Sequence, residues 1–319
     1  MARHASTRDI RLTGILLEKG CPFVFSRVWR VVLVVGVAAL GACAERDAPA
    51  AAVERDDFGA PVITTSAPPA RIVSLDPTIT ELFFALGGGG RLVGRTHWDL
   101  WPDSARFVPD LGPGIQPSVE AVLATRPDLV VLYGGEDKRG AARQLAAAGV
   151  RVLAFRVDRI ADFQRVARVL GGVIGRPRTA DSVIAAVDSA LEHVRAATRG
   201  LERPTVFWHA WDTPLITIGA PIFRSELLEI AGGRNIYADL RHPSPQVSLE
   251  DVVRRNPQVI IAAPHSAERI RSDAAWQSID AVRNGRVIAV GETALSSPSV
   301  RMGRDAALLA RLLHPRIPL

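Results

Sequence analysis

Residues 117–133 read PSVEAVLATRPDLVVLY, and residues 246–264 read QVSLEDVVRRNPQVIIAAP. Ser118, Glu120 and Pro127 of the first stretch recur as Ser248, Glu250 and Pro257, each 130 residues further on. A serine two residues ahead of a glutamate is a helix start: the hydroxyl caps an open backbone amide and the carboxylate suits the positive end of the helix. The proline stops that helix, and the aliphatic run after it predicts a strand buried on both faces. A unit this long, present twice, is not a solenoid, which needs three or more short repeats. It predicts two similar lobes with a cleft between them and a glutamate at matching places on each.

Working outward, strands alternate with helices of about ten residues, the pattern of βα units and a parallel sheet. In the first half, strands are expected at 71–75, 92–94, 129–133 and 150–155, with helices at 79–86, after Ser118 and at 141–148. In the second half, strands are expected at 205–208, 215–218, 259–263 and 287–290, with helices at 223–231, 249–255 and 300–313. TELFFALGG (80–88) and SELLEIAGG (225–233) match as well, with Glu81 and Glu226 145 residues apart, so the repeat carries an insertion of about 15 residues. Between the halves, Ala180, Val183, Ile184, Val187, Leu191 and Val194 keep helical spacing from Pro177 to Gly200. One rigid helix joining two α/β lobes predicts small closure motions rather than a wide clamp.

The chain has 319 residues, a hydrophobic content of 48% and a net charge of +6, enough for two domains of ordinary size. The positive charge is not a nucleic-acid footprint. Residues 1–42 hold six basic side chains against two acidic ones, a net of +4, which leaves +2 on the rest. The remaining arginines are spread out rather than gathered in a stripe.

Arg27 and Arg30 precede an apolar run, Val31 to Leu40. About ten residues are too few to span a bilayer, and a basic flank, a short apolar core and small residues describe a secretory signal. The segment ends Leu40-Gly41-Ala42-Cys43, which resembles the bacterial lipoprotein cleavage box, with Cys43 as the lipidated residue. Cys21 would leave with the signal, so no disulfide is expected. The expected organisation is a lipoprotein signal peptide over 1–42, a disordered tether over 43–70, an N-terminal lobe over 71–175, an interlobe helix over 176–200 and a C-terminal lobe over 201–319. The body would sit in the periplasm or cell envelope, lipid-anchored to a membrane.

No G-x-S-x-G, phosphate loop or H-E-x-x-H is present. GGGG at 87–90 reads as a helix stop. His97 and Asp99, two apart, offer one weak metal pair, and with it an envelope metal-dependent hydrolase as a rival function. His209, His242 and His265 have no partner near them in sequence. The aromatic residues carry more: Trp98, Trp101 and Tyr133 in the first half, and Trp208 and Trp211 in the second, fall in or beside loops at strand ends, where ligands bind in such sheets. Together they suit a large ring-bearing ligand, although each ring singly also serves as core cover.

RIVSLDPTITELFFALG (71–87), the two Ser-x-Glu blocks and SPSVRMGRDAALLARLL (297–313) resemble the periplasmic substrate-binding proteins of vitamin B12 and iron-siderophore ABC transporters. The likeness spans residues 71–314 and is greatest to the cobalamin-binding member. It implies an α/β fold of two Rossmann-like lobes joined by a single long α-helix, with ligand held between the lobes and no catalysis. It also implies a monomer that delivers its cargo to the permease dimer of an ABC importer, with no nucleic-acid partner, no metal ligands and no cofactor beyond the cargo itself. Cobalamin or a related corrinoid is the expected cargo, with haem or a ferric siderophore, facing Tyr133 or a histidine, as the alternative. The expected ligand contacts are Pro77, Trp98, Tyr133, Trp208, Trp211 and Ser244; Glu120 and Glu250 match the glutamates that dock on the permease. The chain departs from the cobalamin binder at Ser244 and near Gly114, where that protein has tryptophans. A sensor docking on a receptor with the same surface is a further reading.

Overall fold

A computed structural model of the chain describes residues 54–291, 295 and 297–319. The expected signal peptide, Cys43 and the first part of the tether lie outside the described residues. The N-terminal lobe runs β1 (Ile72–Leu75), α1 (Pro77–Ala85), β2 (Leu92–Gly94), α2 (Val119–Ala124), β3 (Leu129–Tyr133), α3 (Arg139–Ala147), β4 (Arg151–Phe155) and α4 (Ile160–Val173). After α5 (Pro177–Thr198) come β5 (Thr205–Trp208), α6 (Phe223–Ile230), β6 (Arg234–Asn235), α7 (Leu249–Arg255), β7 (Val259–Ala262), α8 (Pro264–Ser272), α9 (Asp280–Arg283), β8 (Val287–Ala289) and α10 (Met302–Leu313).

The two sheets have the same parallel order, β2-β1-β3-β4 and β6-β5-β7-β8. The central strands are apolar without alternation because helices cover both faces: IVSL in β1 and VIIA in β7 are buried at every position. The two repeated serines cap as their spacing predicts. Ser118 accepts from the Ala121 amide and Ser248 from the Asp251 amide, each at 3.2 Å, a contact of the kind that stabilises a helix by about 1 kcal/mol.

At about 1.5 Å per residue, α5 is about 33 Å long. Its buried stripe, Ala180, Ile184, Val187, Leu191 and Val194, joins a single apolar core that reaches from one sheet to the other. α4 and α10, one from each lobe, press against α5 at glycines. A Cβ added to Gly171 would lie 2.5 Å from that of Ala180, and one added to Gly303 would lie closer still to Ala190. The lobes are therefore joined by packing as well as by the helix. Among the described residues, no helix is long and apolar enough to cross a membrane.

Several features differ from expectation. Residues 160–173, 264–272 and 280–283, where no element is expected, form α4, α8 and α9, and Arg234–Asn235 forms β6. Leu215–Ile218 is not a strand of the sheet: Ile216 makes only isolated bridges, to Trp211 and Gln246. The edge of β5 is already taken by β6, whose Asn235 pairs with Val206. Residues 54–63, expected to be disordered tether, lie along the β4 edge. The Asp57 amide donates to the Ala154 carbonyl at 2.9 Å, and the carboxylates of Asp56 and Asp57 accept from the amides of Ala154 and Arg156 at 2.9 and 2.6 Å. Phe58 completes the packing against the outer core of the lobe, with the Arg139 guanidinium 4.3 Å over its ring.

Candidate ligand site at the sheet switch points

In each sheet the chain leaves the two central strands in opposite directions, so the loops after β1 and β3, and after β5 and β7, diverge and open a crevice at the carboxyl ends. In the C-terminal lobe this crevice is a cavity of about 690 Å³. Trp208, His209 and Trp211 reach it from the end of β5, Ala263 and His265 from the end of β7, and Arg224 from α6. The volume lies within the usual range for small-molecule sites. Trp208 is buried in the wall; Trp211 is 64% exposed, its indole nitrogen tied to the Thr213 carbonyl at 3.1 Å.

Asp212 is the hub of this cavity. It accepts from Ser266 Oγ at 3.1 and 3.2 Å and from the Arg269 guanidinium. His265 Nε2 lies 3.4 Å from its second oxygen and 3.1 Å from Ser266 Oγ. Buried His209 puts Nε2 3.0 Å from Asp212 Oδ1, in an orientation that makes no hydrogen bond. Burial pushes this imidazole down against the pull of the carboxylate, so it is kept neutral. The result is a wall with aromatic faces and a fixed polar cluster at one end. No signal in the sequence joins His209 to His265; they meet only because β5 and β7 are neighbours.

The matching crevice of the N-terminal lobe is acidic. Asp76 caps α1 by accepting from the Ile79 amide at 3.2 Å, and burial pushes its carboxyl up to about 6. Asp99 is 1% exposed and accepts from Thr80 Oγ1 and Thr96 Oγ1 at 2.5 Å each. Burial raises it too, and those hydroxyls pull the other way. Asp99 is thus turned into the lobe and spent on threonines, which takes it away from the His97 pairing. Among the described residues, no group of three or more His, Cys, Asp and Glu side chains is placed to hold a metal ion. At the end of β3, Tyr133 donates to Asp158 Oδ1 at 2.8 Å.

Trp208 and Trp211, of the expected contacts, line the cavity; Pro77, Trp98, Tyr133 and Ser244 do not. Pro77 opens α1. Trp98 is 57% exposed and packs on His97, with ring centres 4.3 Å apart. Trp101 is turned to the other lobe, 5.5 Å under both Arg301 and Arg304. Ser244 is exposed, its amide bonded to His242 Nδ1 at 3.2 Å. Gly114 has φ +71°, and a Cβ there would fall 2.5 Å from Thr96 Cγ2, so no ring is accommodated at that position. Glu120 and Glu250 are both exposed in the first turns of α2 and α7.

The periplasmic binding protein family matches residues 72–294 of this chain. The chain belongs to the periplasmic binding protein family. The vitamin B12-binding protein of Salmonella typhimurium is 30% identical over 222 residues, covering 69% of this chain and 81% of that one. The vitamin B12-binding protein of Yersinia pestis is 30% identical over 210 residues, covering 65% and 74%. Among solved structures, the periplasmic vitamin B12 binding protein of Vibrio cholerae superposes with a TM-score of 0.68 at 25% identity, over 77% of this chain and 97% of that one. A periplasmic haem-binding protein of a Roseiflexus species superposes equally well, with a TM-score of 0.68 at 24% identity over 77% and 98%. This periplasmic binding protein shares with them two parallel-sheet α/β lobes, a fold made to hold a ligand.

Proposed function

We propose that this periplasmic binding protein captures cobalamin or a related corrinoid and delivers it to the permease of an ABC importer, tethered to the membrane through a lipid on Cys43. The observation that carries the reading is the cavity at the β5/β7 switch point. Trp208 and Trp211 give it apolar faces for a flat macrocycle, and the Asp212 cluster gives it polar groups for the amides at such a ring's edge. The names of the 30%-identical relatives support the same cargo. Pro77, Trp98, Tyr133 and Ser244 would meet the ligand's other parts, outside the cavity itself. Glu120 and Glu250, one per lobe, would meet basic sockets on a two-fold permease.

Equilibrium dialysis of the purified protein against cobalamin, cobinamide, haem and a ferric siderophore tests the cargo. A corrinoid should be retained, and Trp211→Ala should weaken it about tenfold through loss of the exposed stacking face. Retention of another compound and of no corrinoid would overturn the cargo. One observation favours haem as a second reading: His265 lines the cavity with its side chain 68% exposed. A low-spin haem spectrum lost in His265→Ala would favour it.

A further inference from the structure

Glu81 on α1 and Glu226 on α6 are equivalent positions of the repeat, 145 residues apart. The same repeat carries a second matched pair. Arg159 immediately precedes α4 and Arg301 immediately precedes α10, 142 residues apart, where each lobe's last strand hands over to its last helix. The structure joins the four crosswise. Glu81 of the N-terminal lobe takes Arg301 of the C-terminal lobe in two hydrogen bonds, 2.8 and 3.0 Å. Glu226 of the C-terminal lobe takes Arg159 of the N-terminal lobe at 2.7 Å and the Ile160 amide at 2.9 Å. Each ion pair has a second crossing bond beside it: Thr78 Oγ1 to the Pro298 carbonyl at 2.8 Å, and the Phe223 amide to the Asp158 carbonyl at 2.9 Å.

The two junctions are alike in chemistry and unlike in setting. Glu81 and Arg301 are 4% and 15% exposed; Glu226 and Arg159 are 21% and 53% exposed. Opening the first would strand a charge away from water, which is costly. Opening the second exchanges a half-exposed pair for water and is eased by salt. Trp101, under Arg301 and Arg304, adds a cation–π contact to the buried side alone.

We propose that these are two interlobe latches of unequal strength: Glu81–Arg301 is a fixed pivot, and Glu226–Arg159 is the release latch that opens when ligand passes in or out of the cleft. The four residues set the lobe spacing, and none of them lines the cavity. The assignment rests on the fold and not on any cargo.

Hydrogen exchange read by mass spectrometry on the ligand-free full-length protein tests it. The Phe223 amide crosses the lobe boundary without depending on any side chain, so it reports opening on that side. Glu226→Gln should speed its exchange by about tenfold, and 1 M salt should do the same to the unaltered protein. The swapped pair Arg159→Glu/Glu226→Arg should restore part of that protection, short of the bond to the Ile160 amide that only a carboxylate at 226 accepts, whereas a merely misfolded variant would recover none. Glu81→Gln should lower Tm while leaving Phe223 better protected than Glu226→Gln does. Unchanged Phe223 protection in Glu226→Gln, or equal loss in both single variants, would overturn the proposal.

Discussion

The Tyr133 hydroxyl donates to Asp158 Oδ1 across 2.8 Å, so its proton is held by a carboxylate. Burial and this bond push the phenol up to about 12. A tyrosine that ligates iron must give that proton up, and here the lobe opposes the loss. Tyr133→Phe should therefore leave the visible spectrum of any bound metal chelate unchanged. Denaturant titration should show a loss of about 1–2 kcal/mol from the missing bond to a charged acceptor. A spectrum altered by the substitution would make Tyr133 a metal ligand after all.

Asp76 gives a pH dependence with a definite sign. Its carboxyl is pushed up from 3.8 to about 6 by burial, so the fold prefers the protonated form. This group imposes no penalty below about pH 4; stability falls as pH rises toward 6 and stays lower above it. Asp76→Asn keeps an oxygen for the Ile79 amide and removes the charge. Urea titrations should show the variant more stable by about 2 kcal/mol at pH 7 and no different at pH 4. Equal effects at both pH values would count against a buried charge at this position.

Glu120 and Glu250 stand alike on the two lobes. For Glu250, the backbone amide and the Ser248 hydroxyl hold the carboxyl below its usual range, so it stays charged. Reversing both to lysine should reduce corrinoid uptake by cells at least about tenfold while the purified protein binds ligand within about twofold of normal. The helix starts should weaken slightly, since cations oppose the dipole there. Intact uptake would remove the docking role.

The contact between α10 and α5 depends on a missing side chain. Gly303→Val drives two methyl groups into Ala190 and should cost about 1–3 kcal/mol. Ala190→Gly in the same chain should recover part of that loss, because it returns the space. A thermal melt of the single and double variants measures both.

Much of the scaffold was legible because its signals are local. Ser118 and Ser248 cap neighbours three residues on, Pro177 opens α5 where expected, and Ile184, Val187 and Leu191 repeat on one helical face. Phe163, Val166, Ala167 and Leu170 carry the same local signal for α4, one apolar face at helical spacing. The cavity was legible only in part. Trp208 and Trp211 could be placed because strand ends carry ligands, but His209 and His265 are 56 residues apart and meet through strand pairing. Asp99 looked like half of a metal pair because its threonine partner Thr80 lies 19 residues back, on α1.

Residues 54–63 have a consequence for anyone shortening the chain. β4 is the last strand of its sheet, and Asp56 and Asp57 stop its free amides with carboxylate oxygens. A truncation that began at Arg71, where regular secondary structure starts, would uncork that border. The bared strand would offer a row of hydrogen-bond donors to a second molecule. Such a fragment should self-associate at concentrations where a chain starting at Glu54 stays single, so the short acidic hairpin doubles as the protein's guard against sticking to itself.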